Sequence, residues 1–308
     1  MLPNFLIGGA TRSGTTSLYF YLKQHPEISF PDLKEPRYFS SIDLRLPQNG
    51  PGDHTVDEKL VTSFDDYCEL YKNLKNKRVG DASSEYLYHH DSSAKRVLSA
   101  LGDIPIILIL RNPIERAYSA YSNLIRDGRE YLTFEEAIDK EIERRADNWD
   151  MMWSLIGVSM YYEQVKTYIT TFTNVKVLIF EEFVSDIQGN LKEIFKFLEV
   201  DENFVPETNT VYSHSGKPTN IFLGWLTSRQ NKVFYPLRKC ILKYVPRKYL
   251  ENISKLIFKK SGLEIKLKPN LISLIEEDIR CLEKLLNKSL DNWKNNLRDQ
   301  TQEIISKK

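Results

Sequence analysis

Cysteine is scarce here: Cys68, Cys240 and Cys281 are the three in 308 residues, and they stand far apart. So sparse and odd a set offers neither a disulfide framework nor the paired spacing of a zinc site, and it predicts reduced, mostly buried thiols. Histidines do not supply a metal site either. His89 and His90 are adjacent, so their side chains diverge on a strand or a helix, and His54 and His214 stand alone. No run approaches the roughly 18 apolar residues of a membrane-spanning helix. The opening MLPNFLIGGATR has no basic leader and only a short apolar stretch, so no signal peptide is expected. These absences predict a cytoplasmic protein. With 43 Lys and Arg against 42 Asp and Glu, the net charge of +1 exerts no general pull on nucleic acid. No repeat or low-complexity linker divides the chain, which is long enough to bury a substantial core and reads as one domain over 1–308.

Apolar strand-length runs alternate with helical patterns instead. NFLIGG, KRVGDAS, IPIILIL and NVKVLIFEEF read as strands, the third a continuous apolar run suited to a central parallel strand. Between them, TTSLYFYLKQHP, DDYCELYKNL, DSSAKRVLSAL, IERAYSAYSNLIRDG, TFEEAIDKEIERRA and SMYYEQVKTYITTF carry helical spacing. Thr133 and Glu136 form a capping box, and Asp91 or Ser92 is the expected cap of DSSAKRVLSAL. The alternation predicts an α/β fold with a parallel sheet flanked by helices over about 1–220. A helical region, 221–308, follows and is predicted to pack on it. Its first part is basic, with twelve Lys or Arg between Arg229 and Lys268 against Glu251 and Glu264. That segment reads as a solvated face, as a contact for an acidic polysaccharide, or as a peripheral contact with the anionic inner face of a membrane.

The most informative stretch is GGATRSGTTS, Gly8–Ser17. Gly9, Gly14 and Thr16 match the Walker A pattern, but Thr15 occupies the lysine position and the cation stands earlier, at Arg12. A strand, a glycine turn and a helix N-terminus make an anion site, because free N–H groups and the helix dipole both favour negative charge. The hydroxyls of Ser13, Thr15, Thr16 and Ser17 add donors, and Arg12 adds a planar, permanently charged fork. Three readings follow: an altered nucleoside triphosphate site, a capped turn with no ligand, or a cradle for another phosphate donor. A magnesium-dependent kinase or NTPase needs an acid ending a second strand. IPIILIL ends in Arg111 instead, whereas VLIFEE offers Glu181 or Glu182. A second arginine suits a ligand with two separate anionic ends.

In wording and order, FLIGGATRSGTTSLYFYLKQHPEI, KEPRYFS, ILILRNPIERAYSAYSNLIRDG and TVYSHSGKPTN resemble the sulfotransferases that use 3′-phosphoadenosine 5′-phosphosulfate (PAPS), and most of all their carbohydrate branch. The resemblance spans roughly Asn4 to Asn220, and LDNW at Trp293 is also similar. It implies a P-loop-like three-layer fold, transfer of a sulfuryl group to a carbohydrate hydroxyl, PAP as product and no metal.

By this resemblance Arg12, Ser13, Gly14, Thr15, Thr16 and Ser17 cradle the 5′-phosphosulfate. The family usually has lysine where Arg12 stands. Arg111, ending its strand, and Ser119, on the next helix, hold the 3′-phosphate, and Gly216 and Lys217 of HSGKP close over the nucleotide. KEPRYF is similar to the family's K-E-x-H-F-F segment, whose glutamate is the general base, which implies that role for Glu35. Lys34 and Arg37 then keep Glu35 ionised and steer anionic sugar groups, Arg37 replacing the family's histidine. Ser84, Tyr86 and Tyr88 fall where the family contacts its acceptor. Two rivals stand beside this reading: the magnesium-dependent P-loop enzyme, and a nucleotide- or glycan-binding module without chemistry.

Overall fold

The computed structural model describes residues 2–42, 44–208, 217–218, 258–259, 267–295 and 297. Its centre is a sheet of five parallel strands, β1 (Phe5–Gly9), β2 (Ile28–Ser29), β3 (Arg78–Asp81), β4 (Ile106–Leu110) and β5 (Val175–Ile179), in the order β2-β3-β1-β4-β5. The four strands expected from the sequence are there, but the one read from NVKVLIFEEF stops at Ile179, and Phe180–Ser185 is helical. β2, only two residues long, carries too little pattern to be read in advance. β1 and β4 are apolar along their whole length because both faces of the sheet are covered. The two-residue period sorts their side chains between two cores. Leu6, Ile106, Leu108 and Leu110 join one cluster, and Phe5, Ile7, Ile107 and Ile109 join the other.

Helices cover both faces. Thr15–Leu22 follows β1 and buries Leu18, Tyr19, Tyr21 and Leu22 in the second cluster. Pro113–Arg126 follows β4, with Pro113 in its first turn and Asn112 as cap. The Thr133–Glu136 capping box forms, but TFEEAIDKEIERRA makes two short helices, Phe134–Asp139 and Glu141–Ala146. Glu141, after the break, directs its carboxylate to the N–H groups of Ile156 and Gly157, both at 2.8 Å. The helix predicted to start at Asp91 or Ser92 begins earlier, at His90, and Asp91 sits in its first turn, where a carboxylate favours the dipole.

Of the C-terminal region, Pro269–Leu286 is an amphipathic helix that buries Ile272, Ile275, Ile279 and Leu282. Asp278 fixes it to the helix Tyr161–Thr171 by accepting from the N–H groups of Tyr161 (2.8 Å) and Tyr162 (3.2 Å). The expected packing of the extension is therefore against this helix. Lys217–Pro218 pairs antiparallel with Phe258–Lys259. Apart from Phe258, Lys259, Leu267 and Lys268, the basic segment 229–268 lies outside the described residues. Among those residues no helix is long and apolar enough to cross a membrane.

β1 has β3 on one side and β4 on the other, so the strand order reverses at β1. Open α/β sheets bind ligands outside the carboxyl ends of their strands at such a reversal. The loop after β1 and the arginine after β4 meet there. Ile109 is fully buried in the wall beneath. Ile109→Ala is expected to lower the unfolding free energy by about 2–5 kcal/mol, measured by urea denaturation.

Candidate active site

Two helix N-termini face this edge, and they differ. Asn112 Oδ1 accepts from the N–H groups of Ile114 (3.0 Å) and Glu115 (3.2 Å), so the helix after β4 is already capped. The helix after β1 has Gly14 as its N-cap and no side-chain cap. Its first-turn N–H groups are therefore the ones left for an outside anion. Gly14 has φ 96°, and a Cβ there would come within 2.8 Å of the Phe180 ring. Ser13 and Thr15 are buried in the turn, while Thr16 and Ser17 are half-buried.

Arg12 also sits in the left-handed region, φ 69°. Its Nε and Nη2 donate to Ser119 Oγ at 3.3 and 3.2 Å, so the two residues expected at opposite ends of a donor are joined. Burial lowers the Arg12 pKa, and the charges of Arg126 and Arg111 lower it further, to about 10, against opposition from Asp127. Arg12 stays charged at neutral pH in surroundings with excess positive charge. An anion is what this arrangement favours. Arg111 donates Nη2 to Glu115 Oε2 at 2.8 Å, and its guanidinium lies 4.9 Å from the Phe180 ring centroid. Its buried Nε has no hydrogen-bond partner among the described residues. One aromatic ring thus supports both Gly14 and Arg111.

Beyond β3 lies the Glu35 turn. Lys34 Nζ donates to Glu35 Oε1 at 2.5 Å and Arg37 Nη2 to Oε2 at 3.0 Å. Burial would raise the Glu35 pKa, but the two cations outweigh it and bring it down to about 2. The charges of Lys34 and Arg37 are thus directed inward, and Arg37 Nη1 also reaches Glu85 Oε2 at 3.2 Å. Glu35 and Arg37 both have positive φ, 60° and 59°. Backbone strain of this kind costs of order 1–3 kcal/mol and persists only where neighbours impose it. Here a chain of hydrogen bonds imposes it. Arg37 N donates to Ser83 Oγ (3.0 Å), Ser83 Oγ donates to Asp81 Oδ1 (2.7 Å), and the Tyr67 and Tyr86 hydroxyls donate to Asp81 Oδ2 at 2.9 Å.

The phosphate loop and this turn are connected. Ser84 Oγ lies 3.3 Å from Glu35 Oε1 and 3.2 Å from Thr11 Oγ1. Adjacent loop residues therefore reach in two directions, Thr11 toward Glu35 and Arg12 toward Ser119. Sequence reasoning did not single out Thr11, Glu85 or Asp81. Thr11 was open to it by adjacency to Arg12, but Glu85 and Asp81 carry no motif. Tyr86 corrects an expectation: it is fully buried and bonded to Asp81, so it packs the core instead of facing an acceptor. Tyr88 is half-buried, with its hydroxyl 3.4 Å from Ser154 Oγ. Gly216 lies outside the described residues, and Lys217 is described only as part of a strand pair.

Both carboxylates proposed for a magnesium site have other partners. Glu181 accepts from Asn112 N at 2.9 Å and from Trp293 Nε1 at 3.2 Å, and Glu182 pairs with Lys288 at 2.7 Å. Among the described residues no group of three or more His, Cys, Asp or Glu is arranged to hold a metal ion.

A model of the sulfotransferase family matches residues 3–204. The chain belongs to the sulfotransferase family. A solved sulfotransferase from Alicyclobacillus acidocaldarius is 30% identical, with a TM-score of 0.74 over 96% of this chain and 99% of that one. The membrane-associated sulfotransferase kil1 of Dictyostelium discoideum is 34% identical over 121 residues, 39% of this chain and 22% of that protein. The human heparan sulfate glucosamine 3-O-sulfotransferase 3B1 is 25% identical over 201 residues, 64% of this chain and 46% of that protein. The chain thus spans less than half the length of these two curated relatives.

The balance of forces on Glu35 is testable. Removing both cations in Lys34→Ala/Arg37→Ala leaves burial as the main influence, so the Glu35 pKa is expected to rise from about 2 to above its ordinary 4.5, measured by carbon-13 NMR titration of side-chain carboxyls. In the wild type the depressed pKa contributes stability that is complete above about pH 4.5 and lost as pH falls toward 2. The double variant should lack that acid-side loss.

Proposed function

We propose that the protein transfers a sulfuryl group from PAPS to an acceptor hydroxyl on a carbohydrate or glycoconjugate. The observation that carries this reading is the excess of positive charge around Arg12, set beside an uncapped helix N-terminus and a second arginine with an unused donor. Such a layout suits a ligand with two anionic ends. The loop 12–17 takes the 5′-phosphosulfate, and Arg111 with Ser119 takes the 3′-phosphate. The 3-O-sulfotransferase relative supports a sugar hydroxyl as acceptor.

The step balances simply. The acceptor oxygen bonds to sulfur, the bond from sulfur to the bridging phosphate oxygen breaks, and Glu35 takes the acceptor's proton. PAP leaves with the charge that Arg12 and the loop N–H groups neutralise. A carboxylate with a pKa of about 2 is a weak base toward a resting alcohol. It suffices once bonding to sulfur has made the hydroxyl proton strongly acidic, so transfer of that proton belongs late in the step. Lys34 and Arg37 keep Glu35 ionised and aimed. Ser84 fixes the side of the carboxylate facing the loop.

Glu35→Gln is expected to keep PAP affinity by calorimetry and to lose on the order of 10²–10⁴ in turnover; near-normal turnover would reject the base assignment. Arg111→Ala should weaken PAP binding instead. Turnover should survive EDTA, since Glu181 and Glu182 are committed elsewhere. Strict metal dependence would favour the P-loop kinase or NTPase. PAP binding without any transfer would favour a binding module.

A further inference from the structure

Beside the Glu35 turn opens a cleft of about 660 Å³. It continues from the turn in two ways. Ser84 touches Glu35, and Tyr88, four residues on, lines the cleft. Asp150 in its wall and Arg37 in the turn act on each other's protonation.

The polar wall includes several hydrogen-bond acceptors. Gln164 is 4% exposed; its Nε2 donates to Gly157 O at 3.0 Å, and its Oε1 has no partner among the described residues. Glu141 places its carboxylate at the wall, accepting from Ser154 Oγ (2.6 Å) and from backbone N–H groups. Asp150 is buried and accepts from Met152 N at 2.8 Å. Asp91 and Glu163 stand exposed at the mouth, as do Arg45 and Arg145. Four carboxylates thus stand against two guanidiniums and the ammonium of Lys166, which pairs with Glu163 at 3.3 Å. Burial keeps the His90 pKa below its ordinary 6.5, so it adds no fixed charge at neutral pH. A buried carbonyl oxygen without a partner calls for a donor, and a net negative cleft disfavours an anion.

We propose that this cleft is the acceptor pocket and that it selects an uncharged, hydroxyl-rich glycan over a polyanionic one. The proposal rests on the sulfotransfer reading for the role of the bound glycan. Hydroxyls supply the donors that Gln164 Oε1 and the wall carboxylates accept. Carboxylated or sulfated sugars would bring like charge against Glu141 and Asp150, and that repulsion is a means of rejection.

The experiment is glycan binding to the full-length protein, with and without PAP, using neutral chito- and malto-oligosaccharides against oligogalacturonate and heparin oligosaccharides of matched length. Affinities come from intrinsic tryptophan fluorescence, since Trp149 lines the cleft, checked by calorimetry. Neutral sugars are expected to bind at least about tenfold more tightly. Gln164→Met should weaken them about tenfold while leaving PAP affinity unchanged. The exposed pair Asp91→Lys/Glu163→Lys should shift preference toward the anionic sugars several-fold at low salt and less at high salt. Tighter binding of the polyanions by the wild type, or no binding of any sugar, would overturn the proposal. PAP binding and transfer to a polyanion would overturn it while leaving the sulfotransferase reading intact. Neutral-sugar binding without PAP binding would do the reverse.

Discussion

A guanidinium in positive surroundings is the constraint on which the site depends. Arg12 emerges from a loop that the sheet itself holds in place: Ala10 N donates to Ile109 O at 2.8 Å just after β1 ends. From there the side chain runs toward the helix after β4 and meets Ser119. Nearby Arg111 and Arg126 disfavour its charge, yet it remains charged near neutrality. A fold that accepts this cost in its resting state has a place prepared for negative charge, since an arriving anion relieves the repulsion among all three.

The second carboxyl system is arranged in the opposite sense. Glu35 is surrounded by cations, whereas Asp81 behind it is buried with tyrosine and serine hydroxyls, and burial raises its pKa to about 6. One carboxylate is held ready at the surface of the site, and the other anchors the turn that presents it. The left-handed backbone at Glu35 and Arg37 is the local cost of that presentation, and the Ser83–Asp81 relay holds it.

Most of the scaffold was legible in the sequence because its signals are local. The β4 run, the glycine loop and the capping box each announce themselves within a dozen residues. The pairing of Arg111 with the first loop was legible only through the resemblance, since nothing local joins residues a hundred positions apart. What stayed hidden was settled by packing between distant segments. Tyr86 falls at a position implied to contact the acceptor, but it packs in the core with its hydroxyl on Asp81. Glu181 looked like a metal ligand until Trp293 and Asn112 proved to share it. Glu85 and Gln164 have no pattern to betray them, because burial alone makes their polar atoms consequential.

Phe180 begins the helix after β5, and its ring touches both the space above Gly14 and the face of Arg111. It therefore packs between two residues proposed to serve opposite ends of the donor. The ring has no charge of its own, so its packing against both does not yield to salt or pH. On the proposed assignment, a nucleotide with one terminal phosphate group would leave the charge at the other end uncompensated. An uncharged side chain would then stand between the groups that read the ligand's two ends.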